Sequence, residues 1–275
     1  MHFKKKIVIY IVLYLFVFHT NIAVNGQCVS ENTVFKSGEK VYYSAYYNWG
    51  FIWLNAGLVS FTATKTKWND RDAFLLESIG TTRQGYDKIF MVRDTFQSFV
   101  TLDKLKPLEF YRATNEGSTK SHHHYIFKEK EKVVKARISR DGKPFESFDI
   151  DWIDCSFDVL SMIYQARNIK FENYKVGDRI PITLLVDGEI FNLSILYLGE
   201  ETVSDRSGRT FACLKFQPEL VAGTIFKAGN DMTVWVTKDK NRMPIIVEAK
   251  ILIGSVKAIL LDYEGLRYPL TSLKR

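Results

Sequence analysis

The sequence predicts a mainly β fold: a large curved antiparallel sheet, or an open half-barrel, with one central buried helix. Three features point there. Most of the chain alternates apolar and polar residues with a period of two, turn-forming residues separate the alternating runs, and one segment switches to helical spacing.

The alternation is plain where Val59, Phe61 and Ala63 interleave with Ser60, Thr62 and Thr64. Such a period puts one set on a core face and the other in water. Val134, Ala136 and Ile138 repeat it against Lys135, Arg137 and Ser139, as do Phe191, Leu193, Ile195 and Tyr197 against Asn192, Ser194 and Leu196. Near the end, Ile245, Val247, Ala249, Ile251 and Ile253 share a parity, and Val256 to Asp262 continues apolar, which predicts a long closing pair. Asp187-Gly188 between two alternating runs is a strong hairpin signal, because glycine accepts positive φ cheaply. Asp205 to Gly208 and Lys238 to Asn241 serve the next connections. Runs at this spacing amount to roughly a dozen strands of a sandwich or barrel. Gly57 and Gly254, inside strand-like runs, predict bulges or sharp bends and hence strong curvature.

From Phe157 to Arg167 the apolar residues Phe157, Val159, Leu160, Met162, Ile163, Tyr164 and Ala166 fall at helical spacings, with Asp154 or Ser156 available to cap the start. This predicts a buried helix near 156–168, joining two sheet halves of a single domain that spans 27–275. A shorter helical turn is expected at Tyr86 to Met91.

Residues 1–26 read as an export signal: Lys4-Lys5-Lys6 precede an apolar core from Ile7 to Phe18, too short for a membrane span of about 20 residues. Cleavage after Gly26 would leave a periplasmic or secreted protein. Gln27 stands before Cys28 where lipid attachment demands Gly, Ala or Ser, so no lipoprotein anchor is expected. The formal charge of +7 drops to +4 when the three lysines leave, which removes the main support for a nucleic-acid partner. Lys128-Glu129-Lys130-Glu131-Lys132 mixes both signs and reads as a solvated strand end or turn. Cys28, Cys155 and Cys213 allow one disulfide with one thiol over, and the pairing is open.

No catalytic residues, cofactor or metal are expected. His122-His123-His124 is conspicuous, but on a strand only His122 and His124 share a face, and an exposed strand segment is the simpler reading. There is no Gly-x-Ser-x-Gly elbow. Asp94, Asp158 and Asp187 are the least conventional acids. Each has a structural role to hand: pairing with Arg93, the first helical turn, and the hairpin turn. The dense aromatic segment from Tyr42 to Trp53 serves either a core or a binding groove. Tyr43, Tyr47, Trp49 and Trp53 are the candidate ligand-binding residues, with Trp49 placed at a turn formed by Asn48-Trp49-Gly50.

Several stretches, taken in order, carry a resemblance: Phe35 to Lys40 leading into tyrosines, Asn48-Trp49-Gly50, Val92-Arg93-Asp94 before Phe96, and Asp158 to Tyr164 followed by Arg167. Gly177-Asp178, Asp187-Gly188 and Pro244 to Ile259 complete it. The chain resembles the exported bacterial domain-of-unknown-function 3108 family, in the version common among Bacteroidetes. That resemblance implies an envelope location and a mostly β fold, and supplies no reaction. The resulting expectation is a non-enzymatic envelope protein holding a hydrophobic or amphipathic ligand, a lipid or glycan, in a curved groove. The alternative is a structural or protein-interaction module with an envelope partner; a glycan-active hydrolase ranks behind both. The oligomeric state is left open.

Overall fold

The structure, a computed structural model, describes residues 31–49, 52–88, 90–221, 232–251 and 254–274. The export signal read over 1–26 and Cys28 lie outside them. The described residues form strands β1 (Glu39–Trp49), β2 (Ile52–Trp68), β3 (Arg71–Thr82), β4 (Arg93–Thr101), β5 (Pro107–Glu116), β6 (Thr119–Lys128), β7 (Val133–Arg140) and β8 (Glu146–Asp151). After β9 (Ser156–Asp158) comes the helix α1 (Val159–Ala166). The chain continues through β10 (Arg179–Val186), β11 (Glu189–Ser204), β12 (Thr210–Pro218), β13 (Met232–Thr237), β14 (Pro244–Lys250), β15 (Ser255–Glu264) and β16 (Leu273–Lys274).

All belong to one sheet, ordered β8-β7-β6-β5-β4-β3-β2-β1-β15-β14-β13-β12-β11-β10-β9, with β16 added to β12. The first half meanders outward from β1 to the edge β8. The chain then crosses to the opposite edge, β9, and meanders back until β15 pairs with β1. Every neighbouring pair is antiparallel except β9 with β10. Only residues 152–155 separate the two edges in sequence, and so short a link spans at most about 17 Å. Fifteen strands laid flat would be roughly 65 Å wide. The sheet must therefore curl until its edges nearly meet, yet β8 pairs only with β7 and β9 only with β10. It is an open barrel with a seam.

Curvature has local causes. Where β1 passes from Ala45 to Tyr46 its partner skips Ala56, and where it passes from Tyr42 to Tyr43 the partner skips Leu261, so β2 and β15 each carry a bulge. Gly57 flanks the first, and a Cβ there would lie 2.7 Å from the Thr81 carbonyl oxygen. The second predicted bend differs: Gly254 sits in the β14–β15 turn, so the expected continuous strand from Ile245 to Ile253 ends at Lys250. Asp187-Gly188 makes the expected hairpin, both residues at positive φ (51° and 92°). At Tyr86 to Met91 the helical turn is a 3-10 turn over Gln84–Tyr86.

Helix α1 begins later than its spacing suggested. Ser156 to Asp158 first pair with Thr183 to Leu185 of β10, so the cap is Asp158 rather than Asp154 or Ser156. Its Oδ1 accepts the backbone N–H groups of Leu160 and Ser161, and its Oδ2 accepts the hydroxyls of Ser161 and of Ser98 on β4. Leu160 and Tyr164, one turn apart, enter a core with Leu76, Val100, Phe110, Tyr125 and Val134 from β3 to β7. Met162, on another side of the helix, packs with Phe157, Ile180, Tyr197 and Phe216. Ile163 is exposed. A third cluster joins Val41, Tyr43, Phe211, Met243, Ile245 and Leu260.

The far end of the helix is fixed by Arg167. Its Nη1 and Nη2 donate to the Glu39 carboxylate at 2.5 and 3.0 Å, and Nε and Nη2 donate to the Asn241 carbonyl at 3.3 and 2.9 Å. The pair is buried, with the guanidinium over the rings of Phe35 and Tyr164 at 5.7 and 5.6 Å. Helix, β1 and the β13–β14 turn meet at this one side chain. Glu39→Ala or Arg167→Ala strands the other charge and is expected to cost about 3–5 kcal/mol, measured as a fall in urea-unfolding stability. Glu39→Leu combined with Arg167→Met is expected to recover most of that loss, because no unpaired charge is then buried.

Candidate functional site

The four aromatic candidates do not form one surface. Along β1, Tyr43, Tyr47 and Trp49 share a parity, whereas Trp53 pairs with Asn48 and takes the opposite face. Tyr43 is a core residue at 4% exposure: its hydroxyl donates to the Pro244 carbonyl at 3.0 Å and its ring meets Phe61 edge-on at 5.8 Å. Burial pushes its hydroxyl above the ordinary tyrosine range. Tyr47 is half-buried beside the β14–β15 turn. Trp53 lies under the Lys257 ammonium at 4.7 Å. Trp49 closes β1 opposite Ile52 rather than occupying a turn, and its side chain lies outside the described residues. Helix α1 places Leu160 and Tyr164 in one core cluster and Met162 in another.

The histidines divide as strand geometry requires, but the middle one is not exposed. His123 is buried, its Nε2 2.7 Å from the Ser121 hydroxyl and its Nδ1 2.9 Å from the Tyr125 hydroxyl. Burial, with the nearby Arg112 charge, pushes its pKa down to about 4, so the ring is neutral at pH 7. Asp187 approaches the same Nε2 at 3.8 Å. A nucleophile relay needs the carboxylate on the nitrogen facing away from the hydroxyl, and here Tyr125 occupies that nitrogen. Asp187 instead binds Arg112 at 2.8 Å, docking the β10–β11 hairpin onto β5. His124 binds Glu109 at 2.8 Å and stacks on Tyr111. Among the described residues no three His, Cys, Asp or Glu side chains group as a metal site.

Of the three acids, Asp158 is the helix cap, held protonated more readily than usual by burial. Asp94 accepts the Asn115 N–H at 3.2 Å, and burial together with the neighbouring Glu116 carboxylate pushes its pKa up to about 7.

Two concavities stand out among the described residues. The first, ≈ 490 Å³, lies on the convex face across β15, β1, β2 and β3, lined by Tyr42, Leu58, Ile79, Thr81, Leu261 and Asp262 among others. Directly paired residues share a face, and Tyr42 pairs with Ser60 and Asp262, Ser60 with Ile79, and Leu58 with Thr81. The β15 bulge adds Leu261. Leu58, Ile79 and Leu261 are 39%, 40% and 51% exposed, a local apolar strip.

The second, ≈ 380 Å³, lies at the seam, between the β4–β5 turn, the β6–β7 turn, the β8–β9 link and α1. Lys106 pairs with Glu129 and Lys132 with Asp154 at its rim. Glu129 and Lys132 belong to the mixed-charge run, which does form a turn, a 3-10 segment over Glu129–Glu131. Cys155, disulfide-bonded, forms part of the wall, while Cys213 is a free buried thiol. Leu105, Lys132 and Cys155, around the pocket, all have positive φ (52°, 52° and 69°), a costly conformation for such side chains. Gln165 of α1 lines the pocket at 1% exposure, and neither its amide oxygen nor its amide nitrogen has a partner among the described residues. The Trp152 indole N–H is likewise unpartnered. Each such group costs about 1–3 kcal/mol. The sequence held one hint of this site. On the apolar helix only Ser161 and Gln165 are polar, one turn apart, and Ser161 is satisfied by Asp158 while Gln165 is not.

Fold and concavities together define a seamed, barrel-like β scaffold. Among solved structures it is similar to a beta-barrel-like protein of domain of unknown function DUF1849 from Brucella abortus, with 9% identity and a TM-score of 0.54 over 86% of this chain and 98% of that one. No curated protein matches the chain. Residues 42–261 match the family described as Protein of unknown function (DUF3108), and the chain belongs to that family.

The Asp94 proton gives a pH test. The folded protein holds it more tightly than the unfolded chain, so the stability it lends is full below about pH 4 and is lost as pH rises toward about 7. Asp94→Asn is expected to raise stability at pH 8 and change it little at pH 4, as measured by urea midpoints at both values.

Proposed function

We propose that this protein is an exported, non-enzymatic envelope protein that binds an amphipathic ligand by its apolar portion in the convex groove of β15, β1, β2 and β3. The observation that carries this reading is the groove itself: its ≈ 490 Å³ falls within the range of small-ligand sites, and three exposed apolar side chains line it. Those side chains are not needed to fill the core, which lies on the other face of the same strands. Asp262 and Tyr42 at the groove offer polar contacts to the ligand's other end. The apolar build favours a lipid over a glycan. Export rests on the Lys4-Lys5-Lys6 and Ile7 to Phe18 pattern, and an envelope role on family resemblance.

Leu58→Glu and Leu261→Glu, made separately, put a charge into the groove at exposed positions and should leave stability within about 0.5 kcal/mol. Titration with a fluorescent fatty acid is expected to show saturable binding to the unaltered protein, weakened at least tenfold by either substitution. Equal affinity in all three proteins would remove the groove from consideration.

A further inference from the structure

The seam pocket shares no residue with the convex groove, and its chemistry is different. We propose that it is a second binding site, one that takes a carboxylated sugar or a hydroxy acid of similar size. This reading does not depend on the groove.

The unpartnered groups set the terms. The Gln165 amide nitrogen and the Trp152 indole both donate and need an acceptor, whereas Gln165 Oε1 accepts and needs a donor. A lipid chain satisfies neither need, and a bare carboxylate serves the donors while leaving Oε1 alone. Adjacent hydroxyls serve both, since each can donate and accept, and a planar carboxamide presents its two functions side by side. The apolar surfaces of Pro107, Trp152 and Phe157 suit the C–H face of a sugar ring. At ≈ 380 Å³ the pocket is on the scale of a small ligand.

Charge selects the acid. Glu129 and Asp154 are already held by Lys106 and Lys132. Lys104, exposed at the same rim, makes no ion pair among the described residues. The Lys104 charge also acts on the neighbouring Asp103 carboxylate, and its exposed ammonium is offered to a ligand's carboxylate as well. The Gln165 amide is closed to solvent, so the occupant meets it when the side chain turns toward the pocket it lines.

The test is an NMR titration of the ¹⁵N-labelled protein with D-glucuronate, D-glucose and acetate in parallel, following the Trp152 indole and Gln165 amide signals. Glucuronate is expected to give saturable shifts of both, at least tenfold tighter than either control. Lys104→Gln should weaken glucuronate at least fivefold and leave glucose unchanged. Gln165→Leu should abolish the saturable Trp152 shift while raising the thermal midpoint, because it removes two buried groups that lack partners. That rise also shows the variant to be folded. Equal binding of acetate or of glucose overturns the proposal, as does a pocket that holds water only and shifts with none of the three. A lowered midpoint in Gln165→Leu overturns it too.

Discussion

An arginine guanidinium cannot be buried without compensation, and the burial of Arg167 organises much of this fold. The side chain leaves the end of the helix and meets the carboxylate of Glu39 and the carbonyl of Asn241, both remote in sequence. Forming those bonds requires β1, the helix and the β13–β14 turn to be in place together. Asp158 performs the equivalent task at the other helix end, through Ser98 of β4. A sheet whose edges are joined in sequence only by residues 152–155 would otherwise have little hydrogen-bonded reason to stay curled beyond the contacts of Asp187 with Arg112 and Arg140. The helix, fixed at both ends and packed into two of the three core clusters, supplies that reason.

Where function can reside follows from this construction. The core side of the sheet is committed to buried side chains, so the sheet offers ligands its other face and its seam. The groove exists because β15 carries an extra residue, Leu261, that projects where a regular strand would not. The pocket exists because β8 and β9 do not pair, which leaves a gap that turns and the helix line without filling. Strained backbone at Leu105, Lys132 and Cys155, and the orphaned amide of Gln165, collect around that gap. A structure optimised only for stability would not be expected to retain them together.

Features set by neighbours in the chain were legible in the sequence. The alternation of Val134, Ala136 and Ile138, the hairpin at Asp187-Gly188 and the existence of the helix all depend on local spacing and turn chemistry. Features set by distant pairing were not. The helix starts late because Ser156 to Asp158 join β10, a contact that periodicity cannot foresee. Tyr43 looked available for binding, but pairing with Val59 and Leu260 turns it toward Phe61 and the core. His123 is buried because the tip of a remote hairpin docks above it. The seam pocket draws residues from four separate stretches, and only the curling of the sheet brings them together.

The helix and its anchors hold the open sheet together as one cooperative unit. Native-state hydrogen exchange tests it most directly. The amides of Tyr164 to Arg167 and of Val41 to Ser44 should exchange only through global unfolding, with the same free energy and the same denaturant dependence. Exchange of the helix amides at a markedly lower free energy, while those of β1 remain protected, would contradict it.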